Sequence, residues 1–435
     1  MSIPIIVLES ALRHYAETFR QVFTQPQFQH LVTVLLGLMM TPERRTIRGL
    51  LSRVAAVRSL SALSRFFTES PWSLEKLAQT WLHRFRQQVV PAVQADHARQ
   101  REQQPRRRGR PRATQVTAFT IFDDTAMEKH VQGKPGKRMA GVGRHYSTAA
   151  GQVVEGHSLV VGLMELLGRR CPLPPMLYRQ ADVAQAEGVP FRSKVQLVIE
   201  AVKALTPIPG TLTHILVDSW YTCKELWRIA LSRGFAITGG LKTNRWLRLP
   251  DPKQPGGWRK VRLSQYLTEL TPEDFVTVPW RGKVMWAHLL PTFVYKLGKC
   301  QVLVVKEQPD APPQTARCWA TSDLEADVVT VAGYASRRWD VETWIEDAKG
   351  CLGLDHYQLT SANGVMRFWH LVCCCYLYLD EVRAGMVAQG KETATIGDAL
   401  RHQQRAQYSL LLDWLWEQFG QARSAAQMKA ILLSA

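Results

Sequence analysis

Strand-like and helix-like patterns alternate between Ser193 and Thr243, and this alternation restricts the possible folds more than any other feature. The helix-like "SKVQLVIEAVKALT" precedes the strand-like "THILVDSW", and the helix-like "CKELWRIALSRG" precedes the strand-like "FAITGGLKT". Strands joined through a helix usually pair in parallel. The crossover helix brings the chain back to the end of the sheet where the first strand began, so the second strand runs in the same direction. The sequence therefore predicts an α/β fold with a mixed sheet.

Apolar runs upstream of this alternation predict antiparallel strands. The run "VTAFTIFDD", from Val116 to Asp124, indicates a strand that ends in two acids. The segment "HYSTAAGQVVEGHSLVVGLMEL" indicates two further strands, joined by a turn at Gly151 and Gln152. We therefore expect a meander of three strands beside the parallel ones.

Changes in composition predict six segments. Helical apolar spacing continues to about residue 100, whereas short β-runs and turn residues follow Arg248. The predicted segments are 1–103, an all-α basic domain; 104–112, a basic linker; 113–247, the first part of the α/β core; 248–313, a β-rich insertion; 314–384, the second part of the core; and 385–435, a helical C-terminal region.

The chain is strongly basic, with a formal net charge of +18 over 435 residues. A charge of this size favours a polyanionic partner, and DNA is the first candidate. Within the linker, Arg108, Arg110 and Arg112 belong to "RGRPR", which resembles an AT-hook core that enters a narrow minor groove. A basic tether that contacts only phosphates is an equally good interpretation.

Neither a membrane segment nor a secretory signal is expected. The longest apolar run, "LVTVLLGLMM", is shorter than the roughly 20 residues that cross a bilayer. Eight cysteines without a CxxC pair predict a reducing compartment and no structural zinc. We expect a cytoplasmic, nucleoid-associated protein.

Acidic residues stand at the ends of two predicted strands. Asp123 and Asp124 follow "AFTIF", and Asp218 follows "HILV". Ligands of parallel sheets gather at the carboxyl ends of the strands, and buried acids are costly unless something uses them. The alternative is structural, because all three acids are also suited to turns or to capping the next helix.

A third acidic position lies in "YASRRWDVETWIEDAKG", which predicts one continuous helix. At about 100° per residue, Tyr334, Arg338, Glu342 and Lys349 fall within about 80° on one face of that helix. Arg338 and Glu342 alone form an ordinary i,i+4 salt-bridge pattern. Together with the strand-end acids, Glu342 instead suggests a three-carboxylate site for Mg²⁺, with Mn²⁺ as a substitute. Two such ions catalyse phosphoryl transfer in DNA-cleaving enzymes.

The order Asp, Asp, Glu, with a β insertion before the last acid, resembles the DDE transposases of bacterial insertion sequences. The subgroup with a Tyr-Arg-Glu-Lys signature is the most similar, since Glu342 follows Arg338 after three residues and Lys349 follows after six more. The segment "LGLDHYQLTS" is also similar to the family. Tyr334 departs from the pattern by one position. The family's Asp-x-Thr pattern selects Asp123, and Asp124 stays an alternative.

This resemblance implies an RNase H-like mixed sheet with flanking helices, in which Asp123, Asp218 and Glu342 hold the metal ions. It implies that Arg338, Lys349 and the signature tyrosine contact DNA. The partners would be double-stranded DNA, at the transposon's inverted repeats and at the target, and a second copy of the chain in a homodimer. The insertion's tryptophans are candidates for stacking on a base, although core packing is the commoner role; they are Trp246, Trp258, Trp280 and Trp286.

Two alternatives keep the same fold. One is a catalytically silent or repurposed DNA-binding protein derived from a transposase, against which the intact acids argue. The other is a metal-dependent nuclease that cuts DNA without joining the ends to a target. A cleavage assay with divalent metal separates these possibilities.

Overall fold

A computed structural model describes residues 8–54, 59–103, 115–129, 139–147, 150–251, 253–254, 256–421, 424 and 426–427. The predicted linker 104–112, with Arg108, Arg110 and Arg112, lies outside the described residues.

In the described residues before Gln103, the regular secondary structure is helical, and the apolar spacing predicts helices there. Serine or threonine side chains cap several helices; Ser73 accepts a hydrogen bond from the backbone N–H of Lys76 at the start of the longest one. The helices are α1 (Ser10–Glu17), α2 (Gln25–Met40), α3 (Ile47–Leu51), α4 (Leu60–Thr68) and α5 (Leu74–Glu102), with a short 3₁₀ turn at Arg20–Val22.

One mixed sheet of 13 strands runs through the described part of the chain, in the order β2-β3-β1-β6-β7-β13-β12-β11-β8-β9, with β4 and β5 paired to β3 and β10 paired to β11. Its strands are β1 (Val116–Glu128), β2 (Gly143–Ser147), β3 (Gln152–Leu166), β4 (Arg169–Pro172), β5 (Met176–Tyr178), β6 (Thr211–Val217), β7 (Ala236–Leu241), β8 (Trp246–Pro250), β9 (Trp258–Arg262), β10 (Val276–Trp280), β11 (Lys283–Val294), β12 (Gly298–Lys306) and β13 (Arg317–Thr321). The helices between them are α6 (Ala181–Ala186), α7 (Lys194–Ala204), α8 (Lys224–Ser232) and α9 (Leu263–Glu269), with 3₁₀ turns at Pro272–Asp274 and Pro313–Thr315.

The predicted alternation is confirmed at the centre of this sheet, where β1, β6 and β7 are parallel neighbours. The expected meander is wrong in its order, because β1 pairs with β3 rather than with β2. β3 is long enough to pair with β1 over ten residues and to pair with β2 along its other edge. Residues 248–313 also differ from the expectation, since their strands extend the same sheet through β12 and β13.

The segment that the sequence predicts as one helix is two helices. α10 (Val328–Arg337) ends before Arg338, and α11 (Asp340–Leu352) begins after Trp339. Asp340 and Glu342 stand in the first turn of α11, where carboxylates favour a helix start through the helix dipole. α11 ends at Gly353, whose φ of 64° suits glycine and whose added Cβ would meet His356 at 2.6 Å.

A buried helix, α12 (Ala362–Ala388), joins the parts of the molecule, and α13 (Ile396–Gly420) packs against it. α12 contacts α2, α4, α5 and α11, so the N-terminal helices and the sheet share one hydrophobic core. Within the described ranges, no helix has the length and hydropathy needed to span a bilayer.

Candidate active site

β1 does not end at Asp123 and Asp124, as the sequence predicts, but continues to Glu128, because its second half still pairs with β3. Two of the predicted acids nevertheless come together where the parallel pairing of β1 with β6 ends. Phe122 of β1 is the register partner of Val217 of β6, so Asp123 and Asp218 are the next residues of two adjacent parallel strands. Asp218 Oδ1 accepts hydrogen bonds from the backbone N–H groups of Trp220, at 2.8 Å, and Tyr221, at 3.1 Å. These bonds fix the Asp218 carboxylate at the start of the loop after β6.

Asp123 lies in an environment that disfavours its charge. Burial, with smaller contributions from the carboxylates of Asp218 and Asp124, raises the pKa of the Asp123 carboxyl to about 7, even though Arg338 and a hydrogen bond from the Asp124 backbone N–H oppose the shift. A buried carboxyl with acidic neighbours has a strong affinity for a nearby cation. Perturbed carboxyls of this kind are common at functional sites, so Asp123 is the centre of the candidate site.

Arg338 connects Asp123 to Glu342. Its guanidinium donates a hydrogen bond to Asp123 Oδ2 at 3.1 Å and also forms an ion pair with Glu342 Oε1. The residue lies at the break between α10 and α11, and Glu342 lies in the first turn of α11. At this break, the Arg338 side chain contacts Asp123 of the sheet and keeps its i,i+4 contact with Glu342.

Lys349 reaches the same strand from about two helix turns beyond Glu342 on α11. Its ammonium donates to Thr125 Oγ1 at 2.8 Å and to the carbonyl of Ala126 at 3.3 Å. Because side chains alternate along a strand, Asp123 and Thr125 point to the same face of β1. The structure thus gathers Asp123, Arg338, Glu342 and Lys349 on the face that α11 covers.

Asp124 points to the opposite face of β1. Its carboxylate forms an ion pair with Lys194, at the start of α7, and accepts a hydrogen bond from the Tyr221 hydroxyl at 2.7 Å. Both partners lie away from α11. Asp124 and Glu342 are therefore on different sides of the sheet.

Tyr334 is not brought to this site, which corrects the expectation of one shared helix face. Its hydroxyl donates to Asp323 Oδ2 at 3.0 Å, and its ring packs on His214 with centroids 4.2 Å apart. The physical reason is the helix break: residues before Arg338 belong to α10, which has a different axis, so 100° spacing does not relate Tyr334 to Glu342.

The tryptophans of the insertion separate into two groups. Trp286 is partly buried against the main core, and Trp280 packs on Trp319 with ring centroids 5.2 Å apart. Trp246 and Trp258 instead lie on the open face of the β8–β9 pair, where Arg262 and Arg248 stack over them at 5.0 Å and 4.6 Å. The structure thus gives Trp280 and Trp286 packing contacts, and leaves the other two on a basic surface.

The side chains of Asp123, Asp218 and Glu342 are carboxylates, the type of ligand that a hard divalent cation prefers. Among the described residues, no group of three His, Cys, Asp or Glu side chains is arranged to hold a metal ion. The guanidinium of Arg338 lies between two of the three carboxylates and supplies positive charge there. The point between Asp123 and Glu342 is therefore one at which a cation is favourable.

Several neighbours of the site were missed by sequence reasoning. Lys194 and Tyr221 hold Asp124, and Lys129 donates to the carbonyl of Tyr357 at 3.1 Å at the end of β1. A lysine in the first turn of a helix is unfavourable to the helix dipole, so the "SK" start of α7 was a usable signal for Lys194. No comparable signal marks Tyr221 or Lys129.

Comparisons with known proteins show the family of the chain. The family described as "DDE superfamily endonuclease" matches residues 18–278, and the family described as "Transposase DDE domain" matches residues 192–378. Asp123 and Asp218 lie inside the first match, and Asp218 and Glu342 inside the second. Domains of these families generally use divalent metal ions.

Among solved structures, the chain is similar to the piggyBac transposase in its synaptic complex with hairpin DNA. The identity is 14%, the TM-score is 0.40, and the match covers 93% of this chain and 77% of that one. Among curated proteins, none matches the chain. The first family match alone spans more than half of the sequence. The chain therefore belongs to the DDE superfamily of endonucleases.

Proposed function

We propose that the chain is a DNA transposase of the bacterial insertion-sequence type with the Tyr-Arg-Glu-Lys signature, which cuts at transposon ends and joins them to target DNA. The observation that carries this proposal is the meeting of acids and helix residues at one face of β1. Asp123 and Asp218 directly follow the last residue pair of the parallel β1–β6 ladder, and Arg338 joins Asp123 to Glu342. An RNase H-like core is the corresponding proposal for the fold.

In this proposal Asp123, Asp218 and Glu342 hold Mg²⁺, for which Mn²⁺ can substitute. Bound divalent ions supply an activated water or 3′-hydroxyl and stabilise the charge of the leaving oxygen. Asp123 is assigned as the first ligand because it faces α11, whereas Asp124 is paired with Lys194 on the other face. Asp218 keeps its position through the two backbone hydrogen bonds to its Oδ1.

Arg338 and Lys349 are proposed to bind the phosphates next to the cleaved bond. With a divalent ion held by the acids, the guanidinium of Arg338 would be free to form a bidentate contact with a phosphate. Lys349 has three N–H donors, of which two go to Thr125 and Ala126. Its third donor can point at DNA while the ammonium stays fixed to β1.

DNA binding and dimerisation complete the proposal. The net charge of +18 favours DNA, and the helical N-terminal region with the basic segment 104–112 is proposed to hold the transposon end. Two copies of the chain are proposed to act together, because two ends must be held and cut at once. The homodimer would form on double-stranded DNA within the nucleoid.

The experiment uses purified protein and linear DNA that carries the gene with its natural flanking sequences. We expect Mg²⁺ or Mn²⁺ to support cleavage at repeats flanking the gene and joining to a target plasmid, and EDTA to abolish both. Glu342→Gln removes a ligand oxygen and should abolish both products. Glu346→Gln is the matched control, since this exposed glutamate is one turn away on the same helix.

Each result has a defined meaning. Cleavage without joined product would assign the chain as a nuclease, and metal-independent DNA binding without cleavage would assign it as a binding protein. Equal activity of the wild type and Glu342→Gln would remove the proposed site even if DNA is cut.

A further inference from the structure

A chain of three hydrogen bonds links the carboxylates of Asp123 and Asp218 through two residues outside the proposed ligand set. Asp123 Oδ1 accepts from the backbone N–H of Asp124 at 2.8 Å, and Asp124 Oδ1 accepts from the Tyr221 hydroxyl at 2.7 Å. The backbone N–H of Tyr221 then donates to Asp218 Oδ1 at 3.1 Å. We call Asp124 and Tyr221 the carboxylate brace, because they tie the strand of one acid to the loop of the other.

Backbone pairing alone does not hold the two acids at a fixed spacing. The parallel ladder between β1 and β6 ends at the pair of Phe122 and Val217, and Asp218 lies in the loop after β6. Two neighbouring carboxylates also repel each other, so without a further restraint the loop would carry Asp218 away from Asp123 in the absence of a cation. The hydrogen bonds of the carboxylate brace oppose this movement.

Tyr221 is suited to this role because its ring is anchored. The side chain is fully buried in the main hydrophobic core, so the hydroxyl oxygen has a fixed place. Its acceptor, Asp124, is held from the other side by the ion pair with Lys194. A hydrogen bond to a charged acceptor is also roughly twice as strong as one between neutral groups. The two residues of the brace therefore form a stiff link between β1 and the loop.

The other side of the loop is seated on two glycines of β7. A Cβ added at Gly239 would meet Thr222 Oγ1 at 2.2 Å, and one added at Gly240 would meet the backbone nitrogen of Ser219 at 2.8 Å. Thr222 Oγ1 also donates to the carbonyl of Asp218 at 2.8 Å. The loop is therefore held between β7 and the brace. Among the described residues, none donates a hydrogen bond to Asp218 Oδ2, so this oxygen can bind a cation while Oδ1 is held.

We propose that Asp124 and Tyr221 are positioning residues, which keep the carboxylates of Asp123 and Asp218 close together and so prepare them for the divalent ion. This inference rests on the proposed function, because it takes these two acids as metal ligands. Replacement of residues that orient metal ligands typically weakens metal binding by about 10- to 100-fold. The brace should therefore affect how tightly the ion binds more than how fast the metal-saturated protein cuts DNA.

The test measures Mn²⁺ binding to the full chain without DNA, through the loss of the EPR signal of the free ion. Tyr221→Phe removes the hydroxyl and keeps the ring, and it should weaken Mn²⁺ binding by about 10-fold or more. In cleavage assays, the same variant should raise the half-saturating Mg²⁺ concentration by a similar factor, while the rate at saturating Mg²⁺ stays within about 10-fold of the wild type. A merely structural role of Tyr221 would not separate these two quantities.

Asp124→Ala tests the same hydrogen bond from its other end. If both residues act through the brace, the variant with both changes should weaken Mn²⁺ binding no more than the stronger single change does, whereas independent effects would multiply. Tyr378→Phe is the matched control, because it removes another buried hydroxyl, which donates to Gln403 at 2.8 Å and to none of the proposed ligands. This control should leave Mn²⁺ binding unchanged.

Two sets of results separate this inference from the proposed function. Wild-type affinity for Mn²⁺ in both Tyr221→Phe and Asp124→Ala, or effects of the two changes that multiply, would overturn the inference alone, provided that Asp123→Asn weakens Mn²⁺ binding. If Asp123→Asn binds Mn²⁺ as tightly as the wild type, or if the wild type binds no Mn²⁺, the metal site of the proposed function is overturned as well.

Discussion

The two faces of β1 hold neighbouring aspartates in opposite chemical settings. Asp123 faces α11, forms an ion pair with Arg338 and lies beside Asp218. Burial raises the pKa of its carboxyl. Asp124 faces α7 and has fixed partners in Lys194 and Tyr221. The difference shows that two adjacent residues of one strand can have separate roles, one in the candidate site and one in a supporting ion pair. Side chains alternate along a strand, so the two residues face different surroundings.

The largest expected effect separates the two aspartates by activity. Asp123→Asn should reduce metal-dependent cleavage by at least about 1,000-fold, because losing a ligand oxygen removes several kcal/mol of transition-state stabilisation. Asp124→Asn should keep cleavage within about 10-fold of the wild type, since it changes only a supporting ion pair. Initial rates on the flanked gene at saturating Mg²⁺ provide the measurement. A greater loss in Asp124→Asn would reverse the assignment of the two faces.

The free energy of unfolding should rank the two variants the other way, with the larger loss in Asp124→Asn. Asp124→Asn breaks the ion pair with Lys194 and weakens the bond to Tyr221, which should lower the free energy of unfolding by about 1–3 kcal/mol. Asp123→Asn removes a buried charge next to other carboxylates and should be neutral or stabilising by up to about 1 kcal/mol, as often happens at functional sites. Urea unfolding in EDTA measures both changes. A loss of stability in Asp123→Asn as large as that in Asp124→Asn would remove the contrast.

Acid should lower the free energy of unfolding through one buried histidine on each face of the sheet. Burial lowers the imidazole pKa of His145, on the Asp124 side, and of His157, next to Tyr357, to about 4 in each case. Between pH 6.5 and 4 the unfolded chain binds more protons than the folded one, so stability falls as the pH falls through this window. Each histidine should cost about 2 kcal/mol at pH 5.

Urea unfolding at pH 7.5, 6 and 5 measures this loss for the wild type, His145→Gln and His157→Gln. Each variant should lose less stability on acidification than the wild type, whatever its stability at pH 7.5. His157 bonds to Tyr357 and to the Ala140 carbonyl, so its variant is also expected to be less stable at neutral pH. An unchanged pH dependence in both variants would show that neither ring is buried in its neutral form.

The sequence was sufficient to predict the strand that ends just before Asp218, because a central strand requires an apolar run and an acid after it is conspicuous. It predicted the strand that carries Asp123 but ended it too early, since β1 continues through both acids to Glu128. It was also sufficient to pair Arg338 with Glu342, since i,i+4 spacing survives the helix break. It could not reveal the break itself, because the apolar periodicity continues across Trp339. The sequence could not predict the strand order either. The pairing of β1 with β3, and of β12 with β13, depends on contacts between residues that are far apart in the chain.

The smallest expected effect concerns Tyr334, which the helical-wheel argument had placed beside Glu342. Its hydroxyl contacts Asp323 and its ring packs on His214, so Tyr334→Phe removes one partly buried hydrogen bond and no contact with the acids. Stability should fall by about 0.5–1.5 kcal/mol, while the cleavage rate stays within about threefold of the wild type. Arg338→Ala is the comparison, with a loss of about 100-fold or more expected from removal of a phosphate contact. If Tyr334→Phe slowed cleavage as much as Arg338→Ala, α10 would have to turn toward β1 when DNA binds, and the separation of the two helices would be a property of the DNA-free protein alone.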